Sequence, residues 1–227
     1  MTPHGTGALE SRKVLCAGLG VSLALPLGYH LAIDPMVIEP ALNLEVRALF
    51  GYAVMWALAA AAIAMTLAIE HRPLSSIGLA ALPGRQILLA AGAGLLLSML
   101  VPVLSFGAHA IVGSSGTMLM DTAADISITV LILGVLTAAV TEEVLFRGYA
   151  IERLLEVTGQ RWLAGAISLA VFTAIHVPNW GVAHSIGVVL PLGVALTVLY
   201  LWKRNVLLVI IVHFIIDAPL IVLALIS

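Results

Sequence analysis

Thr141-Glu142-Glu143-Val144-Leu145-Phe146-Arg147 closes an apolar run that begins at residue 126, and its reading decides the fold. A charged carboxylate at bilayer depth costs at least about 2.5 kcal/mol, so acids placed there face a polar interior and serve function. In a helix, Glu143 and Arg147 are i,i+4 neighbours with the acid on the N-terminal side, which favours an ion pair. Glu142 is turned about 100° from Glu143 at 3.6 residues per turn and has no such partner on its own helix. The pattern predicts one glutamate tied to arginine and one left free for chemistry.

Outward from this stretch the composition is that of a membrane protein. Of 227 residues, 62% are hydrophobic and only 10% charged, with a mean hydropathy of +1.15. Soluble domains carry about 25% charged residues. A net charge of -2 gives no sign of a nucleic-acid partner. Cys16 is the only cysteine, which excludes an intrachain disulfide and a multi-cysteine metal site. It is read as a buried free thiol without a role.

A bilayer crossing takes about 20 apolar residues, and seven stretches are read as spans: 14–33, 48–69, 87–112, 126–157, 163–176, 185–201 and 206–226. The first is read as a retained anchor, because no small-residue cleavage site follows it promptly. An acidic connection holding a proline, 34–47, leaves an eighth, re-entrant segment open around 34–44. The loop from Glu70 to Leu79 closes at Pro83-Gly84-Arg85, and a polar loop covers 114–125. Glu152, Arg153 and Glu156 are read as the fourth span's emergence into water, and Pro178 as the end of the fifth. Residues 1–124 form an N-terminal region of three spans and 125–227 a core of four, together one membrane domain. Arg12, Lys13, Arg72, Arg85, Arg153, Arg161, Lys203 and Arg204 fall in alternate connections, which places the N-terminus in the cytoplasm. The opposite connections hold only Arg47.

Few strongly polar residues lie inside the spans: Glu142, Glu143 and Arg147 on the fourth, His176 on the fifth, His213 and Asp217 on the seventh. His213 and Asp217 share a helix face at i,i+4. Such a set suits hydrolysis, with a glutamate taking a proton from water while histidines orient the water or steady an oxyanion. A zinc site is the rival chemistry: Glu142 or Glu143 with His176 and His213 would give a His₂Glu set with one position left for water. The H-E-x-x-H signature is absent. No G-x-S-x-G element is present either, and Ser168 is placed as a packing residue.

Three patterns occur in order. Glu142-Glu143-x-x-x-Arg147 resembles E-E-x-x-x-R, Phe172-x-x-x-His176 resembles F-x-x-x-H, and His213-x-x-x-Asp217 is similar to H-x-x-x-N/D. Together they resemble the CPBP intramembrane proteases, the family of the CAAX prenyl endopeptidases and the bacterial bacteriocin-processing and immunity-type (Abi) proteins. The resemblance covers about residues 125–222, with a weaker pre-core pattern at Leu74-Ser75-Ser76-Ile77-Gly78-Leu79. It implies a metal-free mechanism in which Glu142 activates water, Glu143 and Arg147 support it, and His176 helps hold the water. His213 and the residue at 217 would then stabilise the oxyanion. Position 217 is Asp where the prenyl branch has Asn, and an ionised Asp donates no hydrogen bond. Asp217 is therefore a protonated donor, an orienter of His213 or a metal ligand.

The expected protein is an all-α polytopic bundle in the bacterial inner membrane, acting on a membrane-associated protein or peptide. No cofactor is favoured, and no partner protein is indicated. A proton-coupled transporter and a non-catalytic scaffold or immunity factor are the alternatives. One geometric difficulty accompanies this picture. Arg161 to His176 is about 22 Å of helix and Asn205 to His213 about 12 Å. The two histidines then meet only if helices tilt or the fifth span starts deeper.

Overall fold

In the computed structural model, which describes residues 4–112 and 126–226, the apolar stretches become helices, and no strand occurs among the described residues. Helix α1 is Arg12–Ile38, α2 is Leu44–Ile69, α3 is Gly84–Ile111 and α4 is Ile128–Thr158. The next apolar stretch, Arg161–Lys203, has 43 residues. Straight, it would be about 65 Å long, twice a hydrocarbon core of about 30 Å. Gly181 breaks it with φ 74° and ψ 165°, a backbone conformation open mainly to glycine. The first arm, 161–180, makes up most of α5, Arg161–His184, and the second, from 182, runs on into α6, Leu190–Lys203. They fold back on each other, Gly165 lying against Thr197 and Leu201, and Gly193 against Leu169 and Phe172. With α7, Val206–Ile226, the described residues hold six apolar helical stretches long enough to cross a membrane, and the fold-back of the fifth makes them consistent with about seven spans.

Several boundaries differ from the sequence reading. α1 runs on to Ile38 and α2 begins at Leu44, so residues 39–43 form a short turn and no re-entrant segment. Pro178 stays within α5, and the reversal falls on Gly181, where φ is positive. Cys16 is exposed on the outer surface of α1; thiols pack well in cores, but nothing in this stretch turns its face inward. The polar loop expected at 114–125 lies outside the described residues.

The largest departure concerns Glu152 and Arg153, which are 6% and 1% exposed rather than emerging into water. The loop between α2 and α3 folds inward to meet Arg153. Glu70 accepts hydrogen bonds from Tyr149 Oη at 2.6 Å and Arg153 Nε at 3.1 Å. Ser76 and Glu156 also receive Arg153, while Glu152 pairs with Tyr200 and Arg204. A 3-10 turn, Leu74–Ile77, buries Ile77 completely. Gly78 follows at φ +73°, where a Cβ would lie 2.8 Å from Tyr200 Oη. Its carbonyl accepts from the Val206 amide, and Asn205 Nδ2 donates to the Ala80 carbonyl. Gly148 keeps a side chain out of the way of the Ile77 carbonyl.

This inward loop removes the depth difficulty. Arg204, at the α6–α7 turn, meets Glu152, six residues before the end of α4 at Thr158. Six residues of helix are about 9 Å, close to the expected mismatch of about 10 Å. Helix α7 therefore starts deep, on a shelf made by the 70–81 loop. Neither tilting nor a deeper start of α5 is required.

Candidate active site

Helix α4 carries the two glutamates in a stretch, Ala138–Ala150, whose backbone widens to i→i+5 hydrogen bonding. Wide turns of this kind collect at functional sites. The stretch is buried from Val144 to Ala150, so its side chains are fixed by neighbours on all sides. Helix α5 packs on it through Ser168, whose Oγ donates to the Phe146 carbonyl at 2.6 Å. Ser168 is thus the packing residue expected from its position. The Phe146 and Phe172 rings meet edge to face at 5.5 Å, an arrangement that aromatic quadrupoles favour.

The six residues singled out in the sequence converge here. Arg147 Nη1 donates to Glu143 Oε1 at 2.8 Å, both side chains being essentially inaccessible. The arginine also lies over the Phe172 ring, 4.0 Å from its centroid, a cation–π contact strengthened by the absence of water. From α7, His213 Nδ1 approaches the same Glu143 Oε1 at 2.8 Å. Its Nε2 is 3.4 Å from Asp217 Oδ2, one turn further on. Glu143 is therefore the centre of a tied network of four residues on two helices.

Glu142 points elsewhere, toward α5. Its Oε2 is 4.0 Å from His176 Nε2, beyond direct hydrogen-bond range. His176 Nδ1 is 2.7 Å from the Phe172 carbonyl. A carbonyl only accepts, so Nδ1 carries the proton and a neutral ring leaves Nε2 as an acceptor turned to Glu142. The Glu142 and His176 side chains are 13% and 16% exposed, against 0% for Glu143. Glu142 Oε2, Glu143 Oε2 and Arg147 Nη2 are buried without a hydrogen-bond partner among the described residues. Buried polar atoms are rarely left so.

Among the described residues no group of three His, Cys, Asp or Glu side chains is set to hold a metal ion. His213 would have to leave Glu143 or Asp217 to become a ligand, because both its nitrogens face carboxylates. Asp217, lying beside the ring nitrogen, has the geometry of an orienter of His213.

The sequence reading missed one polar tie near this site. Arg47 on α2 binds Asp34 on α1 and also Asn179 on α5, three residues after His176. The available signal was Arg47 itself, the lone basic residue in the connections of its side. Residues 124–219 match the family described as Rce1-like, type II CAAX prenyl endopeptidase Rce1-like. No curated protein and no solved structure matches the chain. The matched stretch contains all six converging residues, and across it the chain is similar to the CAAX-type membrane endopeptidases of the CPBP family.

Proposed function

We propose that this integral membrane protein hydrolyses a peptide bond of a membrane-associated protein or peptide, using a water molecule activated by Glu142. The observation that carries the proposal is the division of labour between adjacent glutamates. Glu143 is fixed by Arg147 and His213, while Glu142 Oε2 and His176 Nε2 face each other at 4.0 Å. That separation suits two groups that both bind one water molecule.

In the proposed reaction, Glu142 takes a proton as the water oxygen bonds to the carbonyl carbon. The carbonyl π electrons move to oxygen, and His176 keeps the water aligned. We assign His213 Nε2, whose contact with Asp217 is long, to the resulting oxyanion, with Asp217 orienting the ring. Collapse of the tetrahedral adduct breaks the C–N bond, and Glu142 returns its proton to the leaving nitrogen. The products are a carboxylate and an amine. Arg147 and Glu143 hold His213 in place and act through it.

We read residues 1–124 as the region that completes the bundle around the core at 125–227. We also place the protein in a bacterial inner membrane with its N-terminus in the cytoplasm, the orientation being supported by the alternation of basic connections.

Purified protein in detergent is incubated with a pool of synthetic peptides, and products are identified by mass spectrometry, wild type beside Glu142→Gln. Cleavage lost in the variant and retained in chelator supports glutamate-activated water. Equal cleavage by both proteins removes Glu142 from its role. Loss in chelator with recovery on zinc addition replaces the mechanism by one in which Glu142 or Glu143, His176 and His213 rearrange around a metal.

A further inference from the structure

We propose that Arg47 is a positioning residue for His176, acting through Asn179. Arg47 forms a two-pronged ion pair with Asp34, Nε to Oδ1 at 2.9 Å and Nη2 to Oδ2 at 2.8 Å. Nη2 also donates to Asn179 Oδ1 at 3.0 Å and lies 3.3 Å from Glu39 Oε2. Three helices, α1, α2 and α5, therefore meet at one guanidinium. A fork of fixed donors suits this better than the point charge of a lysine.

The end of α5 depends on that meeting. Pro178 has no amide proton to offer the carbonyl of Ala174, and Gly181 breaks the helix altogether. His176 sits on the turn that these two residues loosen. Its own ring bond goes back to Phe172 in the preceding turn, which does not fix the segment to the rest of the bundle. Asn179, held by Arg47, does so one turn later. Asp34 is only 4% exposed within α1, and a buried carboxylate without its cation is costly. The same pair accounts for the one basic residue that stands against the alternation of charged connections.

This inference rests on His176 holding the attacking water, so two independent readouts are used. The first is the rate at which diethyl pyrocarbonate modifies His176, followed by peptide mass spectrometry with His184 as internal reference. Asn179→Leu is the cleaner variant, because Arg47→Gln also strips Asp34 of its cation; thermal unfolding in detergent checks that each variant is folded. His176 modification several-fold faster in Asn179→Leu, and at the wild-type rate in Asn179→Asp, which still accepts from Arg47, is the expected result. An unchanged rate in folded Asn179→Leu overturns the tie.

The second readout is turnover of a peptide from the pool. The expected loss in Asn179→Leu is about tenfold or more in kcat, since misplacement by about 1 Å can cost 10²-fold, with KM nearly unchanged and Asn179→Asp restoring the rate. An unchanged kcat beside faster modification overturns the positioning role. Absence of cleavage by wild type counts against the endopeptidase reading alone, and the modification rates then decide whether Arg47 holds His176.

Discussion

Helix α4 carries two polar clusters little more than a turn apart, and they are built on opposite terms. Around Tyr149, Glu152 and Arg153, three acids (Glu70, Glu152, Glu156) meet three arginines (Arg72, Arg153, Arg204), with Tyr149 and Tyr200 donating into the gaps. Among the described residues, no buried oxygen or nitrogen of these side chains lacks a partner. Around Glu142, Glu143 and Arg147, three acids face one arginine and two histidines, and three buried atoms are unpartnered. A satisfied network rigidifies a fold, whereas a partly satisfied one is costly unless it binds something. The first cluster is therefore a shelf for α7, and the second is where a substrate's water and carbonyl would complete the bonding.

The comparison breaks most sharply at Glu142. Glu142→Gln keeps the volume and removes the base, so cleavage of a peptide substrate should fall by about 10⁴-fold, the upper end for general-base catalysis. Its midpoint of thermal unfolding should stay close to wild type, because Glu142 has no ion-pair partner of its own to lose within direct reach. A large loss of stability with activity preserved in the folded fraction would make the second cluster another shelf.

Arg153→Met is the converse test. It leaves Glu70 buried without its cation, and removal of one partner of a buried pair costs about 3–5 kcal/mol. Unfolding in denaturant should therefore shift strongly, while kcat of the protein that remains folded is unchanged. Gly78→Ala tests the same shelf more gently. A non-glycine residue at φ +73° costs about 1–3 kcal/mol, and its Cβ presses on Tyr200. A stability unaffected by both changes would remove the shelf from the explanation of how α7 starts deep.

These two clusters also mark where the sequence was legible. Spacing alone revealed the Glu143–Arg147 pair, the freedom of Glu142 and the His213–Asp217 pair, because i,i+4 partners need no knowledge of the other helices. The seventh span was legible as hydropathy, although α5 and α6 form one apolar stretch whose break rests on a single glycine. What escaped the reading depends on tertiary contact. Glu152 and Arg153 looked solvated because charges near a helix end usually are; Arg153 is bound by the inward 70–81 loop, more than 70 residues away in sequence, and Glu152 by Tyr200 and Arg204, 48 and 52 residues away. Asp34 and Arg47 were hidden in the same way, as ordinary loop charges until α5 brought Asn179 beside them.

The smallest effect should come from Asp217, and it separates the two histidines. Asp217→Asn retains a carbonyl oxygen that can accept from His213 Nε2, so the ring keeps its orientation. The side chain is 28% exposed and 3.4 Å from the ring, which limits what its charge contributes. Exchanging a charged acceptor for a neutral one costs about 1 kcal/mol, a less than tenfold change in kcat. Asp217→Leu removes the acceptor and should cost more, while leaving the His176 modification rate unaltered, because His176 is held from α1 and α2. If Asp217→Asn instead matched the loss in Asp217→Leu, Asp217 would act through its charge. An ionised carboxylate cannot donate to the oxyanion, so that role would stay with His213 Nε2 and Asp217 would be the charge that holds the ring.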